Sequence, residues 1–208
     1  MLSSNTYVIA SAGDNKCVII DPGMDGAAID TLIEEKKLFP TDVIATHGHF
    51  DHVGSVAFFQ KKYGARFHMH QLDVKPLKSV NFYLKIVKIE GRIEVPVPGT
   101  LWTSDNEDFQ SGHFHFEVYN FPGHTNGSCV IKTGNSLFTG DTLYAKGVGI
   151  NHFPGYDNNK LRSSVNRIFE MFDKDMMVYP GHGGFDSLGN IESGNVELKE
   201  FLGVNSEV

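Results

Sequence analysis

Cysteine is scarce in this 208-residue sequence. Cys17 and Cys129 stand alone in separate apolar stretches. That excludes a disulfide framework and fits a reducing compartment. Long apolar runs are missing too. None approaches the roughly 18 residues of a membrane-spanning helix, so no membrane association is expected. Met1-Leu2-Ser3-Ser4-Asn5 has neither the basic stretch nor the apolar core of a signal peptide, and a cytoplasmic location is the expectation. Positive charge is in deficit: 18 Lys and Arg against 25 Asp and Glu leave a formal net charge of -7. A nucleic-acid-binding surface is therefore not expected. Low-complexity tracts, like-charge blocks and short repeats are absent, so residues 1–208 are expected to form a single domain.

Against these absences stand 10 histidines. Histidine is the commonest metal ligand and the usual proton shuttle, so their placement decides what they mean. The apolar pattern supplies the frame. Thr6–Ala10 and Cys17–Ile20 read as a hairpin turning through Gly13-Asp14-Asn15. Ile29, Leu32 and Ile33 recur at helical spacing over about 26–37. Val43-Ile44-Ala45 is a short strand, Val56, Phe59 and Tyr63 mark a helix, and Arg66–Met69 is the next strand. Pro76, Pro96 and Pro98 break up the stretch 71–111. Phe114–Phe121 alternates as a strand, and 128–133 with 136–139 read as a hairpin turning at Gly134-Asn135. Leu161, Val165, Ile168, Phe169 and Phe172 define a strong helix, with Asp157 or Asn158 as its cap. Met176–Tyr179 is the last strand. Hairpins come first in each half, with helices interleaved. Two mixed sheets packed face to face with helices outside suit this pattern.

His47, His49, Asp51 and His52 fall within six residues just past a strand. Alternation lets His47 and His49 point the same way, and the start of the next helix then delivers Asp51 and His52. Pro122-Gly123-His124-Thr125, Thr139-Gly140-Asp141-Thr142 and Tyr179-Pro180-Gly181-His182-Gly183 repeat the context. Each sets one His or Asp beside a glycine past an apolar strand. If those strand ends share one edge, five histidines and two aspartates converge. That exceeds the four ligands of a closed structural zinc site and suits two metals with open positions. The other histidines read differently. His68 and His70 flank Met69 on a strand and suit a polar strand face better than a third metal, and His113 and His115 read the same way. Phe50, Phe153 and Phe185 are candidates to line a pocket.

These stretches, together with Asp21-Pro22-Gly23 and Asn126-Gly127-Ser128, run in order over almost the whole chain and resemble the metallo-β-lactamase superfamily in its glyoxalase II-like (hydroxyacylglutathione hydrolase-like) branch. The resemblance implies an α/β (α+β) fold, a four-layer αββα sandwich with the metals at one sheet edge. It implies that His47, His49 and His124 hold a first metal, that Asp51, His52 and His182 hold a second, and that Asp141 bridges them. It implies two divalent ions, zinc first, with iron and manganese as the other candidates. In the lactamases with a cysteine ligand, that cysteine falls where Asp141 stands here. The C-terminal helical domain with which glyoxalase II proper helps bind glutathione is not expected after His182. The family commonly places a Lys and a Tyr after the bridging aspartate. Ile150 and His152 stand there in this chain, which leaves Tyr144, Lys146 and His152 as candidate substrate residues.

Two cations lower the pKa of a shared water from about 15.7 towards 7, and the resulting hydroxide attacks a carbonyl. Asp51 is placed to orient it and is the candidate catalytic residue. A thiol, with a pKa of about 8.5, departs without a strong general acid, so a small-molecule thioester fits better than an amide. A related ester or a lactone is the neighbouring expectation. An iron persulfide dioxygenase is the main alternative, since a His/His/carboxylate face with open positions suits ferrous iron. A non-catalytic metal-binding protein and a nuclease rank below it. The sequence leaves the oligomeric state open.

Overall fold

Strands Tyr7–Ala10 (β1) and Lys16–Ile20 (β2) pair antiparallel, with Tyr7 opposite Ile20. Phe39–Ile44 (β3), Arg66–His70 (β4) and Thr100–Trp102 (β5) then add in parallel, so the first sheet runs β1-β2-β3-β4-β5. Asn106–Ser111 (β6), Phe114–Asn120 (β7), Cys129–Thr133 (β8), Ser136–Gly140 (β9), Met177–Pro180 (β10) and Asp186–Ser187 (β11) build the second sheet in reverse order. Only β9 and β10 are parallel there. Both sheets are therefore mixed, as the sequence led one to expect. The computed structural model describes residues 4–203. The Met1–Ser3 part of the N-terminal reading lies outside them.

Three apolar clusters make the layers. Val18, Ile20, Ile44, Trp102, Phe116, Val118, Ile131 and Phe138 fill the space between the sheets. On the outer face of the first sheet pack Gly26–Glu35 (α1), Phe50–Val53 (α2), Val56–Tyr63 (α3), Val74–Lys78 (α4) and Val80–Ile86 (α5), burying Ile33, Phe50, Phe59, Leu77 and Tyr83. Asn158–Met171 (α6), Leu188–Gly194 (α7) and Val196–Leu202 (α8) cover the second sheet with Leu161, Val165, Ile168, Leu188 and Leu198. Each such fully buried side chain contributes about 1.5–3 kcal/mol. Among the described residues, no helix is long and apolar enough to cross a membrane.

Local chemistry sets the boundaries. Asp157 is the cap of α6, accepting from Asn159 N at 2.9 Å and Lys160 N at 3.0 Å. Ile33 of α1 is buried as its spacing implies, whereas Leu32 is 43% exposed and lies off the buried stripe. The stretch 71–111 is more regular than its prolines suggest. Pro76 occupies the first turn of α4, where no N–H is needed and a proline is tolerated.

His68 and His70 share a face, but that face is buried rather than solvated. His68 Nε2 lies 2.8 Å from Asp42 Oδ1, and His70 Nδ1 accepts from Leu72 N at 3.3 Å. His113 and His115 are exposed beside Asp14 and Asp108.

Candidate metal centre

The C-terminal ends of β3, β7, β9 and β10 lie at one edge of the sandwich. Just past them come His47 and His49, then His124, then Asp141, then His182. Asp51 and His52 sit on α2, whose N-cap is His49 in an extended conformation. All seven side chains converge. His49 Nδ1 lies 3.1 Å from His47 Nε2 and 3.0 Å from His124 Nε2. His182 Nε2 lies 3.4 Å from Asp51 Oδ2, and His52 Nε2 lies 4.0 Å from the same oxygen. Between the two groups stands Asp141. Its Oδ1 is 3.3 Å from His52 Nε2, and its Oδ2 is 3.5 Å from His124 and 3.4 Å from His182. Within the trios His47/His49/His124 and Asp51/His52/His182, one donor atom from each residue lies within 4.8 Å of the others.

The backbone leaves no slack around these groups. A Cβ on Gly181 would stand 2.2 Å from Asp141 Oδ1 and 2.6 Å from His52 Cε1. Asp21, at the end of β2, adopts φ 50°, a left-handed conformation that aspartate tolerates better than most residues. Its carboxylate accepts Thr46 N and Thr46 Oγ1, both at 2.7 Å, and lies 2.9 Å from His52 Nδ1. His124 Nδ1 is 2.6 Å from the Gly149 carbonyl, and His47 Nδ1 is 3.1 Å from Thr46 Oγ1. Three inward imidazoles thus have their outer nitrogen held by oxygen. That fixes the ring and leaves Nε2 to face the centre, as in a metal-ligating histidine.

Two features test whether cations fit. The donor set is entirely imidazole nitrogen and carboxylate oxygen, which suits zinc, iron or manganese. His52 Nε2 and Asp141 Oδ1 are buried and face each other at 3.3 Å, yet neither makes a hydrogen bond. Buried polar atoms normally have one, and a cation between these two would satisfy both.

The electrostatics of the halves differ. Burial, with His52, His49 and His124 beside it, holds His47 well below the usual imidazole range. Burial and then His124 push His49 down to about 3. These rings are neutral at pH 7 and ready to donate lone pairs. Burial would also lower His52, but Asp141 and Asp21 carry it well above its ordinary value. Acceptance of its N–H by the carboxylates of Asp141 and Asp51 raises His182 to about 10. Burial disfavours the charged form of Asp141, yet His52 and His124 hold it well below the carboxylate range. Without a cation, protonated His52 and His182 neutralise the carboxylates. A divalent ion would replace those protons, so binding would release them.

The remaining candidates fall out unevenly. Tyr144 is at the centre: its half-buried ring is 5.8 Å from that of His182. Lys146 and His152 are exposed, and among the described residues no hydrogen bond or ion pair ties either to the cluster. Phe153 packs on His49 at 5.3 Å and on Tyr83 at 4.8 Å, so it does form a wall. Phe50 is buried in the core under the first sheet, and Phe185 is 65% exposed beside Tyr179. The sequence reading missed Tyr83, whose ring is 6.1 Å from His49, and Asn151, which donates to the His124 carbonyl at 3.0 Å. Neither carries a local signal.

Comparison with known proteins agrees with this geometry. The family model described as the metallo-beta-lactamase superfamily matches residues 1–182. The probable metallo-hydrolase MJ0888 of Methanocaldococcus jannaschii is 32% identical over 187 residues, covering 87% of this chain and 88% of that protein. The hydroxyacylglutathione hydrolase GloC of Haemophilus influenzae is 27% identical over 190 residues, covering 88% and 87%. TTHA1623, solved in a di-iron-bound form, superposes with a TM-score of 0.83 at 27% identity, covering 95% of this chain and 96% of that one.

Proposed function

The chain belongs to the metallo-beta-lactamase superfamily, and we propose that within it the protein is a dinuclear, metal-dependent thioester hydrolase of the glyoxalase II-like type. One observation carries the reading: seven N and O donors converge in two trios joined by Asp141, with buried His52 Nε2 and Asp141 Oδ1 facing each other at 3.3 Å and making no hydrogen bond. His47, His49 and His124 would hold one cation, Asp51, His52 and His182 the other, and Asp141 both. Bound cations would supply Lewis acidity and a water acidic enough to ionise near pH 7. Zinc is the first candidate. Iron is the second, supported by the di-iron form of the relative at 27% identity.

The protein's own groups do the rest. Asp51 would accept a hydrogen bond from the attacking water or hydroxide and so orient its lone pair towards the carbonyl carbon. Phe153 and Tyr83 wall the His49 side and exclude bulk water from the acyl group. Tyr144, edge-on to His182 at 5.8 Å, borders the other side. Its phenol is pushed up by burial and by Asp141, which makes it a poor acid. Every histidine at the centre is committed as a donor. Among the described residues at the centre no further side chain is evident as a general acid, which favours a leaving group that departs as its own anion, a thiolate. The substrate is a small molecule, not a nucleic acid or a membrane lipid. The buried free thiols Cys17 and Cys129 suit the reducing cytoplasm.

The test is metal analysis of protein purified without added metal, followed by assays on S-lactoylglutathione, simpler acyl thioesters and lactones. Thioester turnover that disappears with chelator and returns with zinc or ferrous iron supports the reading. Turnover that survives complete metal removal ends it. Oxygen uptake with a persulfide would transfer the site to the dioxygenase alternative.

A further inference from the structure

Asp73 ends a short 3-10 turn, Gln71–Asp73, just before α4, and is fully buried outside both trios. Its carboxylate is spent on two distant loops. Oδ2 accepts the N–H of Gly48 and the hydroxyl of Thr125, each at 2.7 Å. Oδ1 accepts the N–H of Gly127 at 2.8 Å. Gly48 separates His47 from His49, and Thr125 follows His124. One carboxylate therefore ties together the two loops that carry all three imidazoles of the first trio. The loops come from different sheets, and their ligands are 75 residues apart at His49 and His124. At Gly127 a Cβ would stand 2.6 Å from Asp73 Oδ1, so backbone and carboxylate are as close as they can come. The second trio receives none of these bonds; its polar support is Asp21 on His52. Among the described residues no ion pair reaches Asp73, so these donors are its main compensation for burial.

We infer that Asp73 is a positioning residue for the His47/His49/His124 half of the centre. It sets that half's affinity for its cation and leaves the Asp51/His52/His182 half unchanged. The inference rests on the two-metal reading above. Asp73→Asn isolates the effect, because an amide NH2 replaces one accepting oxygen. The Thr125 hydroxyl can turn to accept from that amide, whereas a backbone N–H cannot.

The experiment strips the full chain with chelator and titrates it calorimetrically with Zn(II), and optically with Co(II). Wild type is expected to take up two equivalents, and His124→Gln identifies which step belongs to the first trio. Asp73→Asn is expected to weaken that step by about 10–100-fold, the size typical of groups that orient ligands. The other step should stay within about threefold. Thr125→Val should weaken the same step less, and Thr125→Ser should restore it. Unchanged affinities in Asp73→Asn, or equal weakening of both steps, overturn the positioning role alone. Should Asp73→Asn fail to fold by circular dichroism, the Thr125→Val and Thr125→Ser pair decides, and identical titrations from the two overturn it. A wild-type chain that takes up no second equivalent removes the two-metal reading and this inference with it.

Discussion

Two places in this molecule bury carboxylates against histidine, and they end differently. At Asp42 on β3 the carboxylate is satisfied by protein alone. His68 Nε2 donates at 2.8 Å, Arg66 Nε lies at 2.9 Å, and Ser111 reaches across from the second sheet. Only His68 Nδ1 is left without a partner there. At Asp141 three imidazoles crowd one carboxylate, and its Oδ1 and His52 Nε2 meet at 3.3 Å without a hydrogen bond from either. A buried His–Asp contact is therefore no mark of a site. The mark is convergence of donors that no protein group completes, because a fold evolved for stability alone would satisfy them.

Perturbing the two places should separate function from stability. The largest effect is expected at the centre. Asp141→Asn should lower thioester hydrolysis by more than about 100-fold, beyond the range typical of outer partners. Circular dichroism of the metal-free chain should remain that of the folded protein. Next comes the buried network. Asp42→Ala leaves His68 and Ser111 without their shared acceptor and should cost about 3–5 kcal/mol in urea unfolding. Metal content per folded molecule should not change; an equal loss of metal would erase the distinction drawn here.

Acid should report on the same carboxylate. Burial opposes ionisation of Asp42, but its bonds from His68, Ser111, Arg66 and Thr41 hold it well below the carboxylate range. A depressed folded value means that the unfolded chain binds the proton first. The contribution is complete above about pH 4 and is lost as pH falls towards the folded value. The urea midpoint of wild type should therefore fall more steeply below pH 4 than that of Asp42→Asn. The smallest effect belongs to the surface. Lys61 and Glu94 pair at 2.6 Å, but their side chains are 68% and 59% exposed. Lys61→Ala should leave the unfolding midpoint unmoved, because an exposed pair gains little over hydrated charges.

Much of the centre was legible because ligand chemistry is locally dense. Four donors in six residues past a strand, and three glycine-flanked repeats of that context, need no tertiary information to be noticed. The long helix α6 was equally plain, since its buried Leu161, Val165 and Ile168 keep the helical period and Asp157 is a strong cap. Helices α4 and α5 were not. At five and seven residues they are shorter than the span over which a period shows, and Pro76 reads as a breaker until its place in a first turn is known. Lys146 and His152 were named from their places after Asp141, His152 where the family sets a substrate residue, and both side chains are exposed.

From the order of its residues alone came the donor types, the mixed sheets and the chemistry of the edge, because alternation, capping and ligand spacing act within a few neighbours. Only the tertiary structure decided that four strand ends share that edge, and that Asp21 and Asp73 brace it. Their hydrogen bonds join residues 25 to 54 positions apart. Contacts at such separations are set by how the two sheets pack, and packing leaves no periodic trace along the chain.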